Sequence, residues 1–316
     1  MQKTAPKKNT LKRAFKAFSQ LYSATRFIAK HPLNSNNKVS AFAKFIKWQL
    51  AQRLLDKKVI IPWVDDSFFI SGRGEAGLTG NLYAGVMEYE DMLFLLHALQ
   101  PTETFVDVGA NVGAYTILAS KVSHAKSIVF EPLPKTIERL KDQIQINRIN
   151  ASVDIRGIGI GDKEGSLFFT NNKNAENKVS PTGEAENTTI ARVSTLDKEL
   201  LKNNNYFLKI DVEGFEYKVI EGASEVLLSN NVSAIIIELN GSCQDFGHSN
   251  EDIHKKLLSF GFFAVAYDPR VRKITPLKSY NKDRGNTIYV KDVALISERC
   301  KAAPKRVIHT AFGMKI

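Results

Sequence analysis

The 316-residue chain contains no run of roughly 18 or more apolar residues, so no membrane-crossing helix is expected. Cysteine is nearly absent. Cys243 and Cys300 are the only two, they lack the close spacing of metal ligands, and Cys243 has no evident base partner. With 43% hydrophobic residues the chain can bury a sizeable core without disulfides, so both are expected to be plain thiols of a reducing compartment. The first 30 residues lack the continuous apolar stretch and cleavage site of a secretory signal, although they are basic and acid-free, as an organellar presequence would be. The expected location is cytoplasmic.

Acidic residues are missing from one end. Residues 1–60 hold 14 Lys or Arg and one acid, Asp56, a net charge of +13. The other 256 residues carry 30 basic and 32 acidic side chains. The overall +11 is therefore a property of the N-terminus, whereas a nucleic-acid enzyme spreads positive charge around its cleft. No nucleic-acid partner is expected.

What the chain does have is alternation. Residues 1–60 read as a basic, partly helical extension. Within it Phe42, Phe45, Ile46, Leu50 and Leu54 recur at helical spacing between Ser40 and Leu55, with Lys44, Lys47 and Arg53 on other faces. A helix packed on the main domain is expected there, with contact to a membrane surface or partner as the alternative. Residues 61–100 form a lead-in of short strands and glycine-rich turns up to residue 85, then a helix over 88–99 with acids in its first turn. From Thr104, apolar strands alternate with amphipathic helices to about residue 300, followed by a tail over 301–316. That rhythm predicts an α/β domain with a mostly parallel sheet covered by helices on both faces. Helices are expected over 112–122, 134–147 and, unbroken, 215–228. A polar stretch over 171–192 is too long for an ordinary connection and reads as a functional lid or a disordered loop.

The first strand-to-helix turn reads DVGANVGAYT over residues 107–116. It lacks the G-x-G-x-x-G of a dinucleotide turn, and no P-loop lysine is present, so it is no phosphate cradle. Gly109 lets the backbone turn, and Gly113 lets a helix start close to the sheet or a ligand. Asp107 ends the strand and suits a cofactor with a positive centre, such as an amine or a sulfonium. Glu131 ends the next strand, 24 residues later, where a carboxylate can accept both hydroxyls of a ribose.

The segments FVDVGANVGAYTILAS, VFEP and LKIDVEGFEYKVIEGA, with GLTGNLYAGVMEYED upstream, resemble the FkbM family of S-adenosylmethionine-dependent methyltransferases, over residues 75–240. The resemblance implies a seven-stranded, Rossmann-like class I methyltransferase fold acting on a hydroxyl of a sugar, glycan or other natural product. It implies that Asp107, Gly109, Ala110, Asn111 and Gly113 surround the amino-acid end of S-adenosylmethionine and that Glu131 binds its ribose. Tyr83 and Glu88 would cover the cofactor, or would be only a core tyrosine and a helix-start acid.

Chemistry is expected at the ends of the fourth and fifth strands. The period of two puts Lys209, Asp211 and Glu213 on one side, and Glu238 and Asn240 likewise. Asp211 and Glu213 are the catalytic candidates, Glu213 as general base; the alternative has both acids orienting the cofactor and capping the next helix. Asp211, Glu238 and Asn240 form an oxygen-rich set that would suit Mg²⁺. His248 is a second candidate base, and Lys209 a partner for a neighbouring carboxylate. The alternatives to a methyltransferase are a nicotinamide-dependent oxidoreductase and a catalytically silent binding module.

Overall fold

The computed structural model describes residues 19, 21–55, 57–72, 76–172, 177–183 and 186–316. Residues 1–18 of the basic extension, 73–75 of the glycine-rich stretch, and 173–176 and 184–185 of the long polar loop lie outside these.

A two-stranded hairpin, β1 (Val59–Pro62) and β2 (Phe68–Ser71), precedes the main sheet. The sheet begins with β3 (Thr104–Val108), β4 (Lys126–Phe130) and β5 (Val153–Arg156). A small side sheet follows, made of β6 (Gly159–Ile160), β7 (Gly165–Thr170) and β8 (Thr188–Ser194). The chain then re-enters the main sheet as β9 (Tyr206–Ile210), β10 (Val232–Glu238), β11 (Phe263–Asp268), β12 (Lys273–Pro276) and β13 (Asn286–Val290). The spatial order is β12-β11-β13-β10-β9-β3-β4-β5, with β4, β3, β9 and β10 in parallel register and β13 antiparallel to β10.

Among the described residues this is the doubly wound, mostly parallel α/β sheet that the sequence predicts, with one correction: it has eight strands, not seven. The extra one, β12, pairs antiparallel with β11 and extends the edge. From β3 the chain first moves outward through β4 and β5, then crosses to the other side of β3 as β9 and β10. That reversal opens a crevice beyond the carboxyl ends of β3 and β9.

Every residue of β9 and β13 is buried, as expected of central strands covered on both faces. One face carries the helix Tyr89–Ala98, where Phe94 stands 5.7 Å from Phe207 of β9. The other carries the helices Glu216–Glu221, Ser224–Leu228 and Asn250–Ser259, whose Val219, Ile220, Leu227, Ile253 and Leu257 enter the core.

The N-terminal helix spans Lys38–Leu55 and buries Ala41, Phe45 and Trp48, so the packed reading holds for one of its faces. The same apolar cluster reaches from Ile28 to Ala311 and joins the extension, the lead-in and the tail to the sheet. Arg306 and Asp65, 3.1 Å apart, tie the tail to the first hairpin.

Two further expectations change. The glycine-rich stretch before residue 85 contains a helix, Ala76–Ala84, in which Gly80 sits where a Cβ would collide with Met87 Sδ at 2.2 Å. The helix expected over 215–228 is divided at Gly222–Ala223 into Glu216–Glu221 and Ser224–Leu228, and position 222 has no room for a side chain, since a Cβ there would lie 2.0 Å from the carbonyl oxygen of Gly161.

Candidate active site

The crevice beyond β3 and β9 holds a cavity of about 260 Å³. The turn after β3 forms its floor. Gly109 and Ala110 both donate their N–H groups to the Phe130 carbonyl, at 3.0 and 3.2 Å. Gly109 takes φ +81° and Asn111 φ +51°, both left-handed. Gly113, at φ +83°, starts the helix Ala114–Ile117, which runs on as a π-helical turn over Leu118–Val122. Gly113 does not line the cavity. A Cβ on it would meet Leu140 Cδ1 at 2.4 Å, so its part is to let this helix approach the helix Pro134–Asn147.

Three acids line one side of the cavity. Asp107 is buried and accepts a 2.6 Å bond from Thr116 Oγ1. Burial pushes its pKa up to about 6, against the opposing effects of that bond and of Lys209. Glu131 is buried too, and accepts backbone N–H bonds from Leu133 at 3.0 Å and Asn111 at 3.1 Å. Burial raises it to about 7 despite them. Glu88 occupies the N-cap position of the helix Tyr89–Ala98 without capping it. Its carboxylate turns instead to Tyr115 Oη at 2.5 Å and to Asn286 Nδ2 at 2.7 Å.

The other side is built from β9 and β10. Lys209, fully buried, donates to Asp211 Oδ2 at 2.9 Å. Burial pulls its pKa down, but Asp211, Glu88 and Glu238 outweigh that, and the ammonium is held in its charged form. Glu213 has φ +54°, a left-handed backbone uncommon for a side-chain-bearing residue, and lies in the cavity wall. Asp211, Glu213 and Glu238 bring carboxylate oxygens within 4.8 Å of one another. Burial, and then Asp211, push Glu238 well above the usual carboxylate range, with Lys209 opposing. Among the described residues its Oε2 has no hydrogen-bond partner.

The small side sheet closes the third wall. Phe169 of β7, with Asn177, Lys178 and Val179 from the long polar connection, faces the cavity. Phe169 and Val179 cluster with Leu133, Val193 and Phe215, and Lys178 pairs with Asp245 at 2.5 Å. The described part of residues 171–192 is thus a flap over the site that ends in strand β8.

A model of the methyltransferase FkbM domain matches residues 107–264, half of the chain. The chain belongs to the FkbM methyltransferase family. The matched segment starts at Asp107 and contains the turn after β3 and the cavity residues that follow β9 and end β10. The hexuronic acid methyltransferase AglP of Haloferax volcanii is 28% identical over 156 residues, covering 48% of this chain and 62% of that relative's length. Among solved structures, a precorrin-6y C5,15-methyltransferase from Geobacter metallireducens aligns with TM-score 0.38 and 11% identity, over 70% of this chain and 93% of its own. An rRNA methylase from Streptococcus thermophilus aligns with TM-score 0.34 and 12% identity, over 63% and 91%.

Of the residues singled out from the sequence, Glu88, Asp107, Gly109, Ala110, Asn111, Glu131, Lys209, Asp211, Glu213 and Glu238 line one cavity, all but Glu88 within the matched FkbM segment. Gly113, packed against Leu140, and three others lie elsewhere. Tyr83 belongs to the helix Ala76–Ala84 and packs edge-on against Phe45, ring centroids 5.1 Å apart, as a core tyrosine. Asn240 is exposed outside the cavity, where its Oδ1 accepts the Ser242 N–H at 2.8 Å, and the third carboxylate beside Asp211 and Glu238 is that of Glu213. His248 stacks on Tyr217 at 3.7 Å, outside the cavity.

Sequence reasoning missed Asn286, Asp91 and Glu216. Asn286 bridges Glu88 and Asp91 from β13, and burial, then Glu88, raises Asp91 to about 7. Glu216 accepts the N–H groups of Val212 and Gly214, both at 3.1 Å, and so holds the turn carrying Glu213. The run D-V-E-G-F-E is the only signal that pointed to it.

Proposed function

We propose that the protein is an S-adenosylmethionine-dependent methyltransferase that methylates a hydroxyl of a sugar or glycan. One observation carries this: Asp107 and Glu131, from adjacent strand ends, share a cavity at the switch point with the Asp211–Glu213–Glu238 group. The cavity suits a cationic ligand. Six carboxylates line it against two ammonium groups, and Lys178 is already paired outside it. The sugar as acceptor class is supported by the relative from Haloferax volcanii.

In this reading Asp107, Gly109, Ala110 and Asn111 hold the amino-acid end of the cofactor, and Glu131 accepts from its ribose. When bound, the cofactor supplies an electrophilic methyl group on a sulfonium. The protein has two remaining tasks, orienting the acceptor oxygen and taking its proton as charge develops. Glu213 is the base. Asp211, locked by Lys209, positions the acceptor, and Glu238, with its raised pKa, keeps its own proton near neutrality. The flap residues Phe169 and Val179 exclude water.

The test is a thermal melt with S-adenosylhomocysteine, with NAD, and with neither. A ligand at a hundred times its dissociation constant stabilises by roughly 2.7 kcal/mol, a shift of several degrees. A shift with S-adenosylhomocysteine alone, lost in Glu131→Ala, is expected. A shift with NAD alone would establish the oxidoreductase instead, and cofactor binding without transfer to any glycan would establish a silent module.

The same site predicts a pH signature. The folded pKa of Glu131 is raised above its ordinary 4.5, so its contribution to ligand-free stability is full below that value and is lost as pH rises through about 7. Binding runs the other way, because the ionised carboxylate is the better acceptor. Affinity for S-adenosylhomocysteine, measured by calorimetry, should fall about ten-fold between about pH 8 and about pH 6 in the wild type and little in Glu131→Gln.

A second reading adds a hard divalent cation on Asp211, Glu213 and Glu238, favoured by their spacing and by the unpartnered Glu238 Oε2. Such an ion would polarise the acceptor oxygen. Activity that collapses in EDTA and returns with Mg²⁺ is the result expected of it; activity undiminished by EDTA leaves Lys209 as the only cation beside Asp211.

A further inference from the structure

The helix Lys38–Leu55 has two apolar faces. Ala41, Phe45 and Trp48 point inward and are buried. At the spacing i, i+4, i+7, i+11, i+15, the residues Val39, Ala43, Ile46, Leu50 and Leu54 run along the opposite face, and all are exposed. Val39 is 84% exposed, Ile46 56%, Leu50 51% and Leu54 80%. Lys47 and Arg53, also exposed, border this strip on either side. Four large aliphatic side chains aligned in water on a single helix are not the scattered exposure that any surface shows.

We propose that this outward face docks on an anionic lipid bilayer, with the helix lying in the plane of the interface. The strip supplies apolar area for the acyl boundary, and its basic borders meet the headgroups. Charge selects this occupant over others. Residues 1–60 carry +13, so a second copy of the chain would bring two strongly like-charged surfaces together. A nucleic acid would draw on the basic residues but give the aliphatic strip nothing to bury against. No described helix is long and apolar enough to cross a membrane, so the contact is peripheral.

The experiment is vesicle flotation of the full chain with phosphatidylcholine alone and with phosphatidylglycerol added, at low and high salt. Binding only to the anionic vesicles, weakened by salt, is expected. Ile46→Asp with Leu50→Asp should weaken it on the order of ten-fold or more, because both side chains enter the interface. Leu201→Asp, at a residue 69% exposed elsewhere, should leave it nearly unchanged. All variants should melt like the parent, since none of these side chains is buried. Failure to bind anionic vesicles at low salt overturns the proposal. So does equal binding by the double variant, which would make the basic residues alone the contact. A dimer in sedimentation that the double variant dissolves would show that the strip meets a second copy instead.

Discussion

Gly109→Ala is expected to destabilise the protein by about 3–5 kcal/mol and to abolish S-adenosylhomocysteine binding. Two costs combine. The backbone at this residue has φ +81°, where a Cβ is strained whatever the surrounding space. The new Cβ would also lie 1.9 Å from the carbonyl oxygen of Asp211. That oxygen cannot swing aside cheaply, because the Asp211 N–H is bonded to Val108 O at 2.9 Å as part of the β3–β9 pairing. Either the turn moves or β9 does, and both carry cavity residues. Urea unfolding would measure the first effect and calorimetry the second. An alanine variant as stable as the parent would mean that the close approach of the two strand ends is not required.

Glu213→Gln is expected to lower kcat by about 10²–10⁴ while leaving S-adenosylhomocysteine affinity within a few-fold. The substitution keeps the size of the side chain and removes the proton acceptor. The turn itself should survive, because the carboxylate of Glu216 holds the Val212 and Gly214 N–H groups and Gly214 absorbs the sharpest backbone angle, φ +109°. Single-turnover kinetics on a glycan acceptor separates this from a binding defect. An unchanged kcat would remove Glu213 from the base role. Loss of cofactor affinity as well would make it part of the cofactor site.

The candidate site was half legible in the sequence. Asp107, Gly109, Asn111 and Glu131 lie within 24 residues, at the ends of two successive strands that pair side by side, so their meeting follows from local pattern alone. Glu88 was ambiguous between a helix cap and a site residue. The structure shows no cap bond from it: Asn286, 198 positions away, and Tyr115 both donate to its carboxylate in the cavity wall. The period of two grouped Asn240 with Glu238, yet β10 ends at Glu238, and beyond it the alternation no longer governs where a side chain points. Tyr83 was open between a cofactor cover and a core tyrosine; the glycines around it suggested turns, but the stretch folds as the helix Ala76–Ala84, which packs Tyr83 edge-on against Phe45. A helix was foreseen over 40–55, where the structure has Lys38–Leu55, but its apolar positions were counted as one face. Packing against Tyr83 divides them into a buried face and an open one.

By itself the sequence determined the α/β alternation, the parallel core strands, the glycine turn after β3 and the two acids that flank it. Each of these is written in hydrophobic period, backbone permissiveness and charge over a few neighbouring residues. Only the tertiary structure decided the eighth strand, the flap against the cavity, the Asp211–Glu213–Glu238 group and the bond from β13 to Glu88. Those depend on which distant segments bury one another, and a local pattern specifies that a face must be covered without specifying what covers it.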